Sequence, residues 1–379
     1  MLGKELTKEE IEQLMSRFFT YVLSYEDERV LEYIVEPHQA VNLDEAFSSI
    51  YDEVVSKGFN TVLIKHDNML LLRFAKRQVN MKSKLQLTLI LFIATIASVA
   101  ITGYYTILSY NESVSLLNLK LGLNIELFDP IVGTILFVGV VLTPLMAHEL
   151  SHYVTNLRLK VPTTTPLPIP APFISPLGTF GAVIQIRHLP KNLKDLALMG
   201  ISGPLAGVTF SIIAYLVGYV TSPTLPLNVV SQAIESNLIS TINIAPLSAL
   251  AIDALLTKPT EVVILNPIAL SAYLILIVHF ANLLPIGQLD GGHVFRALTS
   301  VKTHSTTSLI VALAGITVSL AIRELAWLGV FSVIALLISG RGPHFGAANT
   351  LSVLNSRDKR FITLLYLLLL TATFPVVII

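Results

Sequence analysis

Two histidines four residues apart, with a glutamate directly after the first, close a nearly uncharged stretch that runs from Pro130 to Ala147. On a helix, His148 and His152 share one face, the spacing that lets two imidazoles hold one divalent ion. Glu149 lies between them and is a carboxylate able to serve as general base toward a water on that ion. Ionisable groups are costly at membrane depth and rarely face lipid, so this placement points to chemistry there.

A catalytic zinc takes three protein ligands and leaves a fourth position open. The third donor must come from elsewhere in the chain. The other histidines beyond residue 84 are His188, His279, His293, His304 and His344, and few acids fall near an apolar segment. Asp290 stands out among them, in Asn282-Leu-Leu-Pro-Ile-Gly-Gln-Leu-Asp290-Gly-Gly-His293. Pro285 and the Gly291-Gly292 pair break or unwind a helix there and let a short carboxylate turn toward a metal. Asn282, two helical turns earlier, is placed either as a donor toward a substrate backbone or as a bond between helices. His293 reads as an interfacial histidine, with a fourth-ligand role as its alternative. His279 reads as a hydrogen-bonded structural residue and His188 as solvated in a basic loop.

The elements that carry these groups are apolar. The chain has 379 residues, 53% hydrophobic and 13% charged, with a mean hydropathy of +0.71. Residues 1–84 hold 14 of the 25 acidic and 11 of the 25 basic side chains. The expected fold class is a polytopic α-helical membrane protein of about six to seven spans, with a re-entrant β element and a small soluble α+β N-terminal domain. The candidate spans are Leu85–Tyr110, Pro130–Asn156, Leu196–Tyr219, Val262–Leu289, Ser305–Ile322, Leu325–Ser339 and Phe361–Ile379. With the N-terminus inside, most Lys and Arg near the spans fall on the cytoplasmic side, and only Lys120, Lys258 and Arg323 fall outside. That orientation puts His148, His152 and Asp290 at one depth near the cytoplasmic end, in a multi-pass protein of the cell membrane.

Within residues 1–84, Thr7 and Glu10 form a capping-box pattern, and apolar residues from Ile11 to Leu23 recur at helical spacing. Val30–Val35 reads as a strand, Leu43–Ser56 as a helix closed by Gly58, and Thr61–Lys65 with Met69–Phe74 as a hairpin. No catalytic constellation appears there, so the domain reads as regulatory or docking. Net charge is zero and nothing suggests nucleic acid; the absence of cysteine excludes disulfides and thiolate metal sites.

Val161–Ile186 is uncharged but holds six prolines, which no regular helix accepts. Its second half, Gly178-Thr-Phe-Gly-Ala-Val-Ile-Gln-Ile, is rich in β-branched and aromatic residues. It is expected as the re-entrant β element beside the metal, with Gly178, Phe180 and Gly181 along an edge able to hold a substrate extended. Gly203 and Gly207 in the third span are expected to permit close helix packing.

The HExxH helix, followed more than a hundred residues later by Asn-x-x-Pro-x-x-x-x-Asp-Gly, resembles the site-2 protease family of intramembrane zinc metalloproteases. Gly178-Thr-Phe-Gly181-Ala and Gly203-Pro-Leu-Ala-Gly207 resemble its archaeal and plastid branch. The likeness covers about residues 125–300. It implies one zinc on His148, His152 and Asp290, Glu149 as catalytic base, and membrane-anchored protein substrates cut within their transmembrane segments. A polytopic metal-ion transporter with the His/Asp cluster as transit site is the alternative function. An inactive membrane chaperone is disfavoured by the intact Glu149.

Overall fold

The computed structural model describes residues 6–77, 85–339, 344 and 346–378. The chain opens with α1 (Lys8–Met15), β1 (Phe19–Glu26), β2 (Val30–Pro37), α2 (Leu43–Ser56), β3 (Phe59–His66) and β4 (Met69–Lys76). The capping box forms at the start of α1: the Glu10 amide donates to Thr7 Oγ1 and the Thr7 amide to Glu10 Oε2. Asn42 Oδ1 caps α2 by accepting from the Asp44 and Glu45 amides.

The helix expected to continue to Leu23 ends at Met15, and Phe19–Glu26 is a strand paired antiparallel with β2. The apolar spacing of Phe18, Phe19, Val22 and Leu23 fits a helix. The aromatic and β-branched content of Phe19–Tyr25, next to a turn at Asp27 that accepts the Arg29 and Val30 amides, decides for a hairpin. The four strands run in the order β1-β2-β4-β3, and Asp67-Asn68 forms the tight β3–β4 turn. Tyr33, Phe47, Tyr51 and Phe74 are fully or nearly buried between sheet and helices. Ala348, from the far end of the sequence, is buried in the same core.

Next come α3 (Leu85–Leu121), α4 (Pro130–Arg158), β5 (Leu167–Pro170), β6 (Thr179–Val183) and α5 (Leu193–Val220). Beyond α5 the chain forms β7 (Thr224–Pro226), α6 (Leu227–Glu235), β8 (Ile244–Pro246), α7 (Leu247–Leu256) and β9 (Glu261–Val263). The remainder is α8 (Pro267–Leu283), α9 (Asp290–Leu298), α10 (Val301–Ala321), α11 (Ala326–Ser339), α12 (Ser356–Thr373) and β10 (Pro375–Val377). Asp129 caps α4 ahead of Pro130, and Asn266 caps α8 ahead of Pro267, so each helix starts with its first amides satisfied.

Among the described residues, four helices are long and apolar enough to cross a membrane: Gln86–Leu121, Pro130–Arg158, Leu193–Val220 and Val301–Ala321. The other three expected spans correspond to helices of 17, 14 and 18 residues. The segment expected as Val262–Leu289 ends early because Pro285 and its neighbours leave the helix before α9 restarts at Asp290. Helix α5 is central and packs against α4, α8 and α9. The N-terminal domain sits at the end of the bundle where α4 finishes, because Asp52 pairs with both Lys160 and Lys191 at 2.9 Å.

Candidate metal centre

Helix α4 is apolar over most of its length and carries His148 and His152 on its buried face in its last turns. Asp290 enters from the first turn of α9, after the break that follows α8. The break works as the sequence suggests: Leu284 is extended, Gly287 has a positive φ, and Asp290 restarts the helix.

The three donors converge. His148 Nε2 and His152 Nε2 are 3.2 Å apart, and each lies 3.1 Å from Asp290 Oδ2. A tetrahedral ion with bonds of about 2.0–2.2 Å needs donor separations of about 3.3–3.6 Å, so this triangle is close to the face zinc requires. The side chains are only 7%, 11% and 15% exposed. This is the one group of three or more metal-type donors found among the described residues. Two imidazoles and a carboxylate are also the donor types of catalytic zinc.

Neighbouring groups orient the donors. His152 Nδ1 donates to the Met199 carbonyl of α5 at 2.8 Å, which leaves Nε2 free to ligate. Asn282 Nδ2 donates to Asp290 Oδ2 at 2.5 Å and lies 3.5 Å from His148 Nε2. Asn282 of α8 thus reaches the Asp290 carboxylate of α9 directly, a bond between helices as one of its two sequence readings has it. Gly203 and Gly207 face the site itself: a Cβ on Gly203 would overlap the His152 ring, and one on Gly207 would overlap His279 and meet the His148 Cβ at 3.0 Å.

Glu149 borders both the triangle and the β5–β6 hairpin. It lines a narrow gap with Phe92, Thr95, Met146, Pro168, Gly181 and Ala182. Strand β6 pairs antiparallel with β5 and with no other named strand. Phe180 projects outward, 62% exposed. Gly178 is engaged differently: its carbonyl accepts from Ser98 Oγ on α3, and a Cβ there would press on the α3 backbone at 2.8 Å.

One alternative falls away here and one expectation is corrected. His293 is outside the donor triangle; its Nδ1 pairs with His344 Nε2 at 2.7 Å, tying α9 to the segment after α11. His188 is not solvated but 7% exposed, because the N-terminal domain covers its loop and stacks Tyr51 on the ring. Sequence reasoning missed Tyr51 and Asp52 as contacts, since nothing in their local pattern marks a partner so distant in the chain.

Residues 136–323 match the family model of peptidase family M50, and this interval contains every member of the triangle together with Glu149 and Asn282. The chain belongs to peptidase family M50. Among curated relatives, the probable zinc metalloprotease EGY2, chloroplastic, of Oryza sativa subsp. indica is 29% identical over 225 residues, 58% of this chain and 38% of the relative. The EGY2 protein of Arabidopsis thaliana is 29% identical over 232 residues, 60% of this chain and 39% of the relative. The probable zinc metalloprotease EGY1, chloroplastic, of Arabidopsis thaliana is 29% identical over 177 residues, 45% and 30% respectively. The chain therefore spans about two fifths of the length of the EGY2 relatives. No solved structure matches it. As a member of the M50 family with this donor set, the chain is built for zinc.

Proposed function

We propose that this M50 protein is an intramembrane zinc endopeptidase that hydrolyses peptide bonds within the transmembrane segments of membrane-anchored proteins. The observation that carries the reading is the buried His148–His152–Asp290 triangle, with Glu149 one residue from a ligand, on a helix apolar enough to cross a membrane. Zinc held there supplies Lewis acidity and makes water nucleophilic near neutral pH.

The chain's own residues supply the rest. Glu149 accepts the proton of the attacking water and returns it to the leaving amine. Asn282 holds the Asp290 carboxylate, and the Met199 carbonyl holds the His152 tautomer. A substrate helix must unwind before attack, because its carbonyls are otherwise tied in i to i+4 bonds. Strand β6 is the re-entrant element whose edge, with Phe180 and Gly181, receives that extended segment by strand addition beside Glu149. Gly178 fixes the hairpin on α3.

Residues 85–379 form the protease domain, with its core at 125–300, and residues 1–84 a regulatory or docking domain. The charge bias supports an N-terminus and an active site on the cytoplasmic side, in a protein of the cell membrane. A metal transporter needs a series of donor sites along a path, whereas the metal-type donors among the described residues form one compact cluster.

The test is cleavage of single-span fusion proteins by the purified full chain in detergent, wild type against Glu149→Gln. Cleavage within the span by wild type alone is expected. Equal cleavage by both proteins would sink the assignment of Glu149.

A further inference from the structure

His279 lies on α8, three residues before Asn282, and is 2% exposed. Its ring faces that of His148, with centroids 5.1 Å apart and planes within 18°. A ligating imidazole ordinarily donates its second N–H to a carbonyl or carboxylate, which fixes both tautomer and ring plane. His152 does so through Met199. His148 does not. Ligation through Nε2 puts its proton on Nδ1, and that atom is buried without a hydrogen-bond partner. The plane of the His148 ring is therefore set by what lies against its faces.

The room for that contact comes from α5. A side chain at Gly207 would displace His279 and press on the His148 Cβ, so the glycine leaves a slot in which the two rings lie parallel. His279 Nε2 is itself buried without a partner, so the ring offers His148 a flat face and no hydrogen bond. Parallel, offset packing of planar rings carries a defined geometry that a branched aliphatic side chain does not reproduce.

We propose that His279 is a positioning residue for the metal ligand His148, holding its ring by stacking in place of the hydrogen bond that His148 lacks. This rests on the reading that His148, His152 and Asp290 hold zinc. It goes beyond that reading in assigning a third histidine, from a third helix, to the ligand's orientation.

The test uses the purified full chain in detergent as wild type, His279→Phe and His279→Leu. Zinc affinity is measured by chelator competition and the ligand geometry by the visible absorption of the Co²⁺-loaded protein; thermal unfolding confirms that each variant folds. His279→Leu is expected to weaken zinc binding about 10–100-fold and to shift the cobalt bands. His279→Phe, which keeps a flat ring, is expected to match wild type in both. The proposal is overturned if His279→Leu binds and absorbs like wild type, or if a folded His279→Phe is as impaired as His279→Leu. Neither readout needs peptidase activity. A wild type that binds zinc with these properties yet cuts nothing would sink the endopeptidase reading and leave this one standing; a wild type that binds no zinc would sink both.

Discussion

The ring of His188 lies flat on that of Tyr51, with centroids 5.3 Å apart and planes within 16°, and this stack joins the N-terminal domain to the loop between β6 and α5. His188 Nε2 also rests against the Thr61 backbone, 3.2 Å from the amide nitrogen and 3.0 Å from the carbonyl oxygen. The same loop sends the Leu189 carbonyl to the Tyr51 hydroxyl at 2.7 Å. Residues 348–350 pair with the otherwise open edge of β3 through Leu63. The domain thus grips the end of α4, the loop between β6 and α5, and the segment before α12.

That stack makes docking depend on pH. Burial, and next the Arg77 cation, push the His188 ring down to about 4 from its ordinary 6.5. Released from the domain, the ring takes up a proton as pH falls below about 6.5, whereas the docked ring resists until about 4. Its contribution is therefore complete above pH 6.5 and is lost as pH falls through that window, about 3 kcal/mol in all. Hydrogen exchange at the Thr61 amide, corrected for intrinsic rates, should report more frequent opening at pH 5 than at pH 7.5. An unchanged slope in His188→Phe would show that another group is responsible.

Asp52 is the second point of attachment. Burial alone would raise its carboxyl, but Lys191 and Lys160 together hold it below the usual range. Lys191 is 16% exposed and Lys160 57%, so the Lys191 pair should dominate. Asp52→Asn is expected to destabilise docking by about 1 kcal/mol, with most of the loss absent in a Lys191→Met background. A double-mutant cycle on thermal unfolding measures this; equal losses in both backgrounds would contradict the pairing.

Gly203→Ala tests how closely α5 approaches the ligands. The added methyl would occupy the space of the His152 ring, which the Met199 hydrogen bond prevents from turning aside. The expected result is a folded protein that binds zinc at least 10–100-fold more weakly. Wild-type zinc content would show that α5 yields more readily than this packing implies.

The donors were legible in the sequence because helical spacing and local helix breaking are short-range properties. His148, His152 and Asp290 came together as their motifs imply, and Pro285 ended α8 where the chain suggests. Close approach and burial were not legible. Gly203 and Gly207 read as a helix-packing pair, yet what they pack against is the imidazoles, and only the crossing of α4, α5 and α8 makes that visible. His188 sits among charged neighbours and reads as solvated, because its cover comes from a domain more than a hundred residues earlier. β1 was misread because Phe18, Phe19, Val22 and Leu23 satisfy the helical period and the strand content of the segment equally well.

Phe180 tests whether β6 receives substrate. Its side chain is 62% exposed beside a gap that Glu149 shares with Gly181 and Ala182, so an extended substrate paired with β6 would cover it. Covering such a ring is worth about 1.5–3 kcal/mol, or roughly 10–100-fold in kcat/KM at 1.4 kcal/mol per factor of ten. Phe180→Ala should therefore lower kcat/KM for transmembrane substrates by about that factor while zinc content stays at the wild-type level. If the loss falls on KM alone, Phe180 only binds; if kcat falls as well, the strand also aligns the scissile bond with Glu149. Unchanged kinetics with a panel of single-span substrates would place the substrate on another surface.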